Sequence, residues 1–119
     1  MHRGHSYHAN DSIQRVAAGA RIVSLGSCGG YNNITAVLEK SPNAHIISTK
    51  GVGTMTINDP LFFALNEEIR NSGKINWPIF WSQMEKKLSG NKVFNDYVSP
   101  HRNLGVVFLK AYNKNLQNE

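Results

Sequence analysis

A run of small residues, Gly26–Gly30 (GSCGG), is the feature that most limits how this chain folds. It directly follows Arg21–Leu25, a short apolar segment with β-branched residues that predicts a buried strand. Only a tight turn accommodates so many glycines. Helical spacing from Tyr31 to Leu38 predicts a helix after the turn. The order of strand, tight turn and helix is typical of an α/β domain.

The rest of the chain alternates strand and helix signals. These predict a short helix capped by Asn10–Ser12 and ending at Gly19, and a strand over His45–Thr49. A helix is expected from Asp59 and Pro60 to Gly73, and another from Pro78 to Leu88 with Trp77, Phe80 and Trp81 in the core. A last element covers Leu104–Tyr112. The last element suits either a helix or a buried strand, and we favour a helix. Residues 113–119 are expected to form a frayed tail.

Strands that alternate with helices predict an α/β fold with a mostly parallel sheet. A length of 119 residues suffices for one domain, but two strands make a poor sheet. We therefore expect residues 1–119 to form a single domain or a fragment of one, with further strands upstream. Exposed strand edges in such a fragment predict self-association with another chain.

Composition excludes several classes of function. The single Cys28 allows neither an internal disulfide framework nor a Cys-rich zinc site. A net charge of +5 is modest and no nucleic-acid-binding motif accompanies it, so no nucleic-acid partner is expected. No apolar run reaches the ~20 residues that cross a bilayer, so no membrane partner is expected. Residues Met1–His8 lack the apolar core of a secretory signal peptide and assign no compartment.

Cys28 is the residue with the clearest potential for a catalytic role. In a parallel α/β sheet, ligands bind beyond the carboxyl ends of the strands, where this turn is expected. The N-terminus of the following helix favours a thiolate, and the glycines leave room for a substrate backbone and N–H groups for an oxyanion. The alternatives are a small buried cysteine and an anion-binding turn, although the turn lacks the Lys-Ser/Thr of a P-loop.

A cysteine nucleophile needs a base, and the N-terminal histidines are the candidates. His5 and His8 precede Cys28 by about 20 residues, which is enough for a crossover between neighbouring parallel strands. A strand ending just before His5 would therefore bring histidine and cysteine to the same sheet edge. The alternative is a pair of exposed loop histidines. His2, His5 and His8 form only a weak metal-ligand pattern, so no metal site is predicted.

The order of Gly4-His5-Ser6, a helix, and an apolar strand running into the turn (RIVSLGSCGG) resembles the His–Cys dyad half of the caspase-like cysteine peptidases. That clan includes caspases, legumains, gingipains, clostripain and separase. The resemblance covers roughly residues 3–50. It implies a caspase-like three-layer fold, of which this chain holds the C-terminal part, and an endopeptidase that cleaves peptide or protein substrates with no cofactor. A non-catalytic interaction or scaffold module of the same architecture is the alternative.

The resemblance also implies a role for each residue of the dyad. Cys28 would be the nucleophile and His5 the general base. His8 is the alternative base, because the family more often places glycine after this histidine than before it. Backbone N–H groups near Cys28 and Ser6 would hold the oxyanion.

Substrate contacts are expected after the next strand. By the same resemblance, Thr49 and Lys50 would form part of the pocket for the residue before the scissile bond. Lys50 would favour an acidic group there, and Asp59 a basic one, although a loop lysine and a helix cap are the simpler interpretations. His45, which opens a strand, is expected to be structural, and His101 to lie on the surface.

Overall fold

The structure, a computed structural model, describes residues 9–26 and 28–118, which form five α-helices and three strands. The helices are α1 (Ala9–Ile13), α2 (Ile34–Lys40), α3 (Met55–Ser72), α4 (Trp77–Lys87) and α5 (Leu104–Gln117), and the strands are β1 (Ile22–Leu25), β2 (His45–Thr49) and β3 (Tyr97–Val98). Short 3₁₀ segments cover Gly30–Asn33, Lys92–Asp96 and Pro100–Arg102. The predicted α/β class is confirmed at this level.

The three strands form one small mixed sheet in the order β1-β2-β3. Strands β1 and β2 are parallel, with Ile22 beside His45 and Leu25 beside Ser48. Strand β3 is antiparallel to β2 and pairs Tyr97 with Thr49. The carboxyl ends of β1 and β2 and the start of β3 therefore meet at one edge, which we call the carboxyl edge.

Helices cover both faces of this sheet. Successive residues of β2 point to opposite sides, so they contact different helices. Ile47 belongs to the core formed with α3 and α4, which contains Ile57, Leu61, Leu65, Trp77, Phe80, Trp81, Met84, Phe94 and Tyr97. Ile46 belongs to the core formed with α1, α2 and α5, which contains Ile13, Leu25, Ile34, Val37, Leu38, Ala44 and Val106. The expected core positions of the aromatic residues in α4 are thus confirmed, and Trp81 stacks on Phe94 at 5.2 Å between ring centroids.

The start of α3 differs from the prediction. We expected Asp59 to cap the helix and Pro60 to occupy its first position, but the helix begins at Met55 and encloses Pro60. Proline lacks an N–H, so it costs α3 one backbone hydrogen bond in its second turn. Burial of Ile57 and Asn58 ahead of it explains the longer helix, because both side chains reach the interior only if that first turn forms. Gly73 ends the helix as expected, in the left-handed conformation with φ 68°.

The last element is a helix, as we favoured. Asn103 caps α5, its side chain accepting a hydrogen bond from the Val106 N–H at 3.1 Å. The helix continues past Tyr112, so the segment for which we expect a frayed tail is helical as far as Gln117, with exposed side chains. Only Val106 of α5 is fully buried.

Candidate functional site

Cys28 lies in the turn that follows β1, just beyond the carboxyl edge of the sheet. It is a free cysteine and is partly exposed. Because β1 and β2 are parallel, the loop that follows Thr49 emerges at the same edge. The chain entering β3 from Asp96 also reaches this edge, since Tyr97 pairs with Thr49. The structure therefore brings Cys28 and the loop after β2 to the place where α/β folds bind ligands.

Two positions next to Cys28 require glycine, each for a different structural reason. Gly29 adopts a left-handed conformation with φ 66°, which side chains rarely accept. Its N–H donates a 2.8 Å hydrogen bond to the carbonyl oxygen of Gly51 in the loop after β2. Gly30 packs against the end of β1, and a Cβ placed on it would lie only 2.2 Å from the Leu25 carbonyl oxygen. The turn is thus held by close packing on one side and by a hydrogen bond on the other.

This packing predicts that Gly30→Ala lowers the free energy of unfolding by about 1–3 kcal/mol, because the added methyl forces the end of β1 to move. Gly19→Ala is the matched control, since a Cβ there has no neighbour within 4 Å. Urea denaturation of both variants measures the difference. Equal stability of the two variants would show that the turn relaxes freely around Gly30.

The predicted substrate residues have different positions at this edge. Thr49 is fully buried, backbone included, and its hydroxyl donates to the Leu25 carbonyl oxygen at 3.5 Å, so it offers no surface to a ligand. Lys50 is exposed, and its Nζ lies 5.7 Å from the centre of the Tyr31 ring. The Lys50 N–H donates to the Asp96 carbonyl oxygen at 2.9 Å. Lys50 therefore presents its charge beside the segment that follows the cysteine turn.

A buried polar network supports the carboxyl edge from the side of α3. The Asn58 side chain is 3% exposed and donates to the Gly26 carbonyl oxygen at 3.1 Å. It accepts a 2.8 Å hydrogen bond from the Tyr97 hydroxyl, which in turn accepts from the Thr54 N–H at 3.1 Å. Sequence reasoning missed Asn58 and Tyr97. Neither lies in a motif, and Asn58 directly precedes the Asp59-Pro60 pair that suggested a helix start.

The predicted bases lie outside the described residues. This holds for His5, for its alternative His8, and for Ser6, whose N–H was expected to bind the oxyanion. The structure therefore describes the cysteine side of the expected site and the loop next to it.

The remaining two histidines lie away from Cys28. His45 begins β2 at the opposite, amino edge, where its ring lies 5.8 Å from that of Trp77. Partial burial lowers the pKa of His45, and the nearby charges of Lys110 and Arg21 lower it further. His101 shares a cavity of about 240 Å³ with His45 and Lys110. His45 therefore lies at the far edge of the sheet from Cys28, beside Trp77.

His101 is partly buried rather than fully on the surface. Its Nδ1 lies 2.9 Å from the Oγ of Ser99, a residue with no exposed surface. Partial burial is the main reason why the pKa of His101 is lowered, and Arg102 adds to it against the opposing charge of Glu85. A Ser–His pair only two residues apart, with the serine inaccessible, is a local structural contact.

Residues 9–26 and 28–118 lack two kinds of feature. No group of three potential metal ligands meets within this part of the chain. None of its helices is both long enough and apolar enough to span a bilayer.

Comparison with known proteins gives no match: no protein-family model, no curated protein and no solved structure is significantly similar to this chain. The residues of the carboxyl edge and the two sequence motifs are therefore the features of this chain that bear on its function.

Proposed function

We propose that this chain carries the nucleophile-bearing part of a cysteine endopeptidase of the caspase-like type. One observation supports this proposal above the others. Cys28 is partly exposed in a glycine turn at the carboxyl edge of a parallel strand pair, beside a loop that is open to a ligand. A thiol in this position is accessible to a peptide carbonyl, and the adjoining 3₁₀ segment begins directly after Gly29.

In this mechanism the Cys28 thiolate attacks the scissile carbonyl carbon and forms a tetrahedral intermediate. His5, or alternatively His8, accepts the thiol proton and passes it to the leaving amine. The C–N bond breaks, and water then hydrolyses the acyl-enzyme and regenerates the thiol. Backbone N–H groups at Cys28 and Ser6 would donate to the oxyanion. The Gly29 N–H does not take part, because it already donates to Gly51.

The surroundings of the turn support an acidic side chain before the scissile bond. Lys50 is exposed next to Tyr31 and is the positive charge on the loop after β2, where the Asp96 carboxylate lies beside Gly51. Thr49 is buried between the neighbouring strands, so its role would be to position the loop that carries Lys50. Hydrolysis of a fluorogenic peptide library by the purified chain tests the proposal. Cleavage should favour acidic over basic residues, and pretreatment with iodoacetamide should block it.

The turn is less suited to binding an anion, which is the alternative role that its sequence suggests, than to carrying a nucleophile. An anion site at such a turn depends on unpaired N–H groups at the start of a helix. Here the Gly29 N–H is engaged by Gly51. The regular helix α2 starts only at Ile34, after a 3₁₀ segment, and has 7 residues.

Alkylation separates a catalytic thiol from a structural one. We expect Cys28 to react with iodoacetamide at pH 7 at least about tenfold faster in the folded chain than in the chain unfolded in urea, because the proposed histidine base takes up the thiol proton. Mass spectrometry gives both rates without ambiguity, since Cys28 is the chain's only cysteine. A slower reaction in the folded chain would contradict a catalytic role and favour the non-catalytic scaffold.

A further inference from the structure

The helix α5 has apolar side chains on the side that faces solvent as well as on the side that faces the core. It contacts the sheet layer through Val106, which is 3% exposed, and through Lys110, whose Nζ donates to the Ala44 carbonyl oxygen at 2.7 Å. On its outer side lie five large exposed side chains, which we call the outer stripe: Leu104 (80% exposed), Val107 (51%), Phe108 (70%), Tyr112 (53%) and Leu116 (49%).

The outer stripe is continuous along the helix. Leu104, Phe108, Tyr112 and Leu116 recur every four residues and Val107 follows Leu104 by three, so the five share one side of α5 over about 18 Å. The rings of Phe108 and Tyr112 stack at 6.5 Å with an angle of 11° between their planes. A helix at the surface of a monomer normally presents polar residues on this side. A stripe of this size on a folded chain marks an interaction surface.

The charges of α5 indicate what kind of partner fits. The helix contains no Asp or Glu, and its only charged residues are Lys110, which turns inward to Ala44, and Lys114. A charged partner would find nothing to pair with on the outer stripe. A second copy brings one apolar surface without carboxylates against another, and Lys114, seven residues after Val107, lies at the margin of the contact.

The order of residues also suits contact between two copies. When two α5 helices pack antiparallel about a two-fold axis, Leu104 faces Leu116 and Phe108 faces Tyr112 of the other copy, twice over. Such an isologous contact closes at two copies. These five side chains, each about half exposed or more, offer about 500 Å² of apolar surface on each copy. A standard interface buries about 800 Å² on each partner, so the neighbouring surface must supply the rest.

We propose that the outer stripe of α5 is a self-association surface that joins two copies of this chain through antiparallel α5 helices. This surface is separate from the edge of β1, where pairing between strands would also join two chains. A dimer through α5 depends on side chains, whereas a dimer through the strand edge depends on backbone hydrogen bonds. Substitutions in α5 therefore distinguish the two.

Sedimentation velocity over a concentration series tests the proposal. The unmodified chain should pass from monomer to dimer with rising concentration. Phe108→Glu should raise the dissociation constant at least about 100-fold, because it buries a carboxylate in an apolar contact. Phe63→Glu is the matched control: Phe63 is 65% exposed but lies on α3, outside the stripe, and its replacement should leave the association unchanged. Circular dichroism verifies that both variants keep their helices.

A mixing experiment tests the antiparallel arrangement. Phe108→Glu and Tyr112→Lys should each be monomeric alone, and together they should form a heterodimer, because the new charges face each other. A chain that stays monomeric at every concentration would overturn the proposal. Undiminished association of Phe108→Glu would also overturn it and would favour the β1 edge. Equal weakening by Phe63→Glu, or a mixture that stays monomeric, would equally count against it.

Discussion

Replacement of Cys28 by alanine is expected to reduce peptide hydrolysis at least about 10³-fold, because the covalent step has no other nucleophile. Turnover of a fluorogenic peptide library by the unmodified chain and by Cys28→Ala measures the loss. The fold should tolerate the change, since Cys28 is partly exposed and belongs to neither core. Thermal unfolding provides that control. Hydrolysis that survives in a folded Cys28→Ala variant would move the chemistry to another residue.

Replacement of His5 by alanine should lower turnover by about 10²–10⁴-fold, the usual contribution of a general base. His8→Ala should lower it less, and the reverse ranking would make His8 the base. His101→Ala is a suitable control, because His101 lies with His45 near the amino edge of the sheet and should not affect catalysis. Equal tolerance of the changes at His5 and His8 would exclude a His–Cys dyad from this chain.

Local sequence patterns were sufficient to predict the part of the fold that carries Cys28. The β-branched run in Arg21–Leu25 and the run in His45–Thr49 both became strands, almost to the residue. The glycines between them predicted a tight turn, and Gly29 and Gly30 fill positions that larger residues would strain. These predictions succeeded because each depends on the conformational preferences of neighbouring residues.

Features that depend on distant contacts were not predictable in this way. Asn58 is buried where it forms hydrogen bonds with Gly26 and Tyr97, which lie 32 and 39 residues away in the sequence. That contact also explains why α3 starts before Asp59. Strand β3 has only 2 residues and forms because Tyr97 pairs with Thr49. It contains no run of β-forming residues from which a strand could be predicted.

The helix α5 shows a different limit of sequence patterns. Its apolar residues lie on nearly all sides, so periodicity alone distinguished neither helix from strand nor inner side from outer side. The structure assigns Val106 to the interior and leaves Phe108 exposed. A helix with apolar residues on its inner and its outer side has two surfaces to bury. Here the sheet layer covers the inner side of α5.

The hydrogen bond between the Gly29 N–H and the Gly51 carbonyl oxygen has a mechanical consequence. It joins the residue after Cys28 to the loop that presents Lys50, and Asn58 of α3 holds Gly26, at the end of β1, by a second hydrogen bond. The turn that carries Cys28 and the loop that carries Lys50 are therefore tied to each other. In the proposed peptidase, a peptide would meet these two segments already in place, and we expect any closing motion to involve other segments.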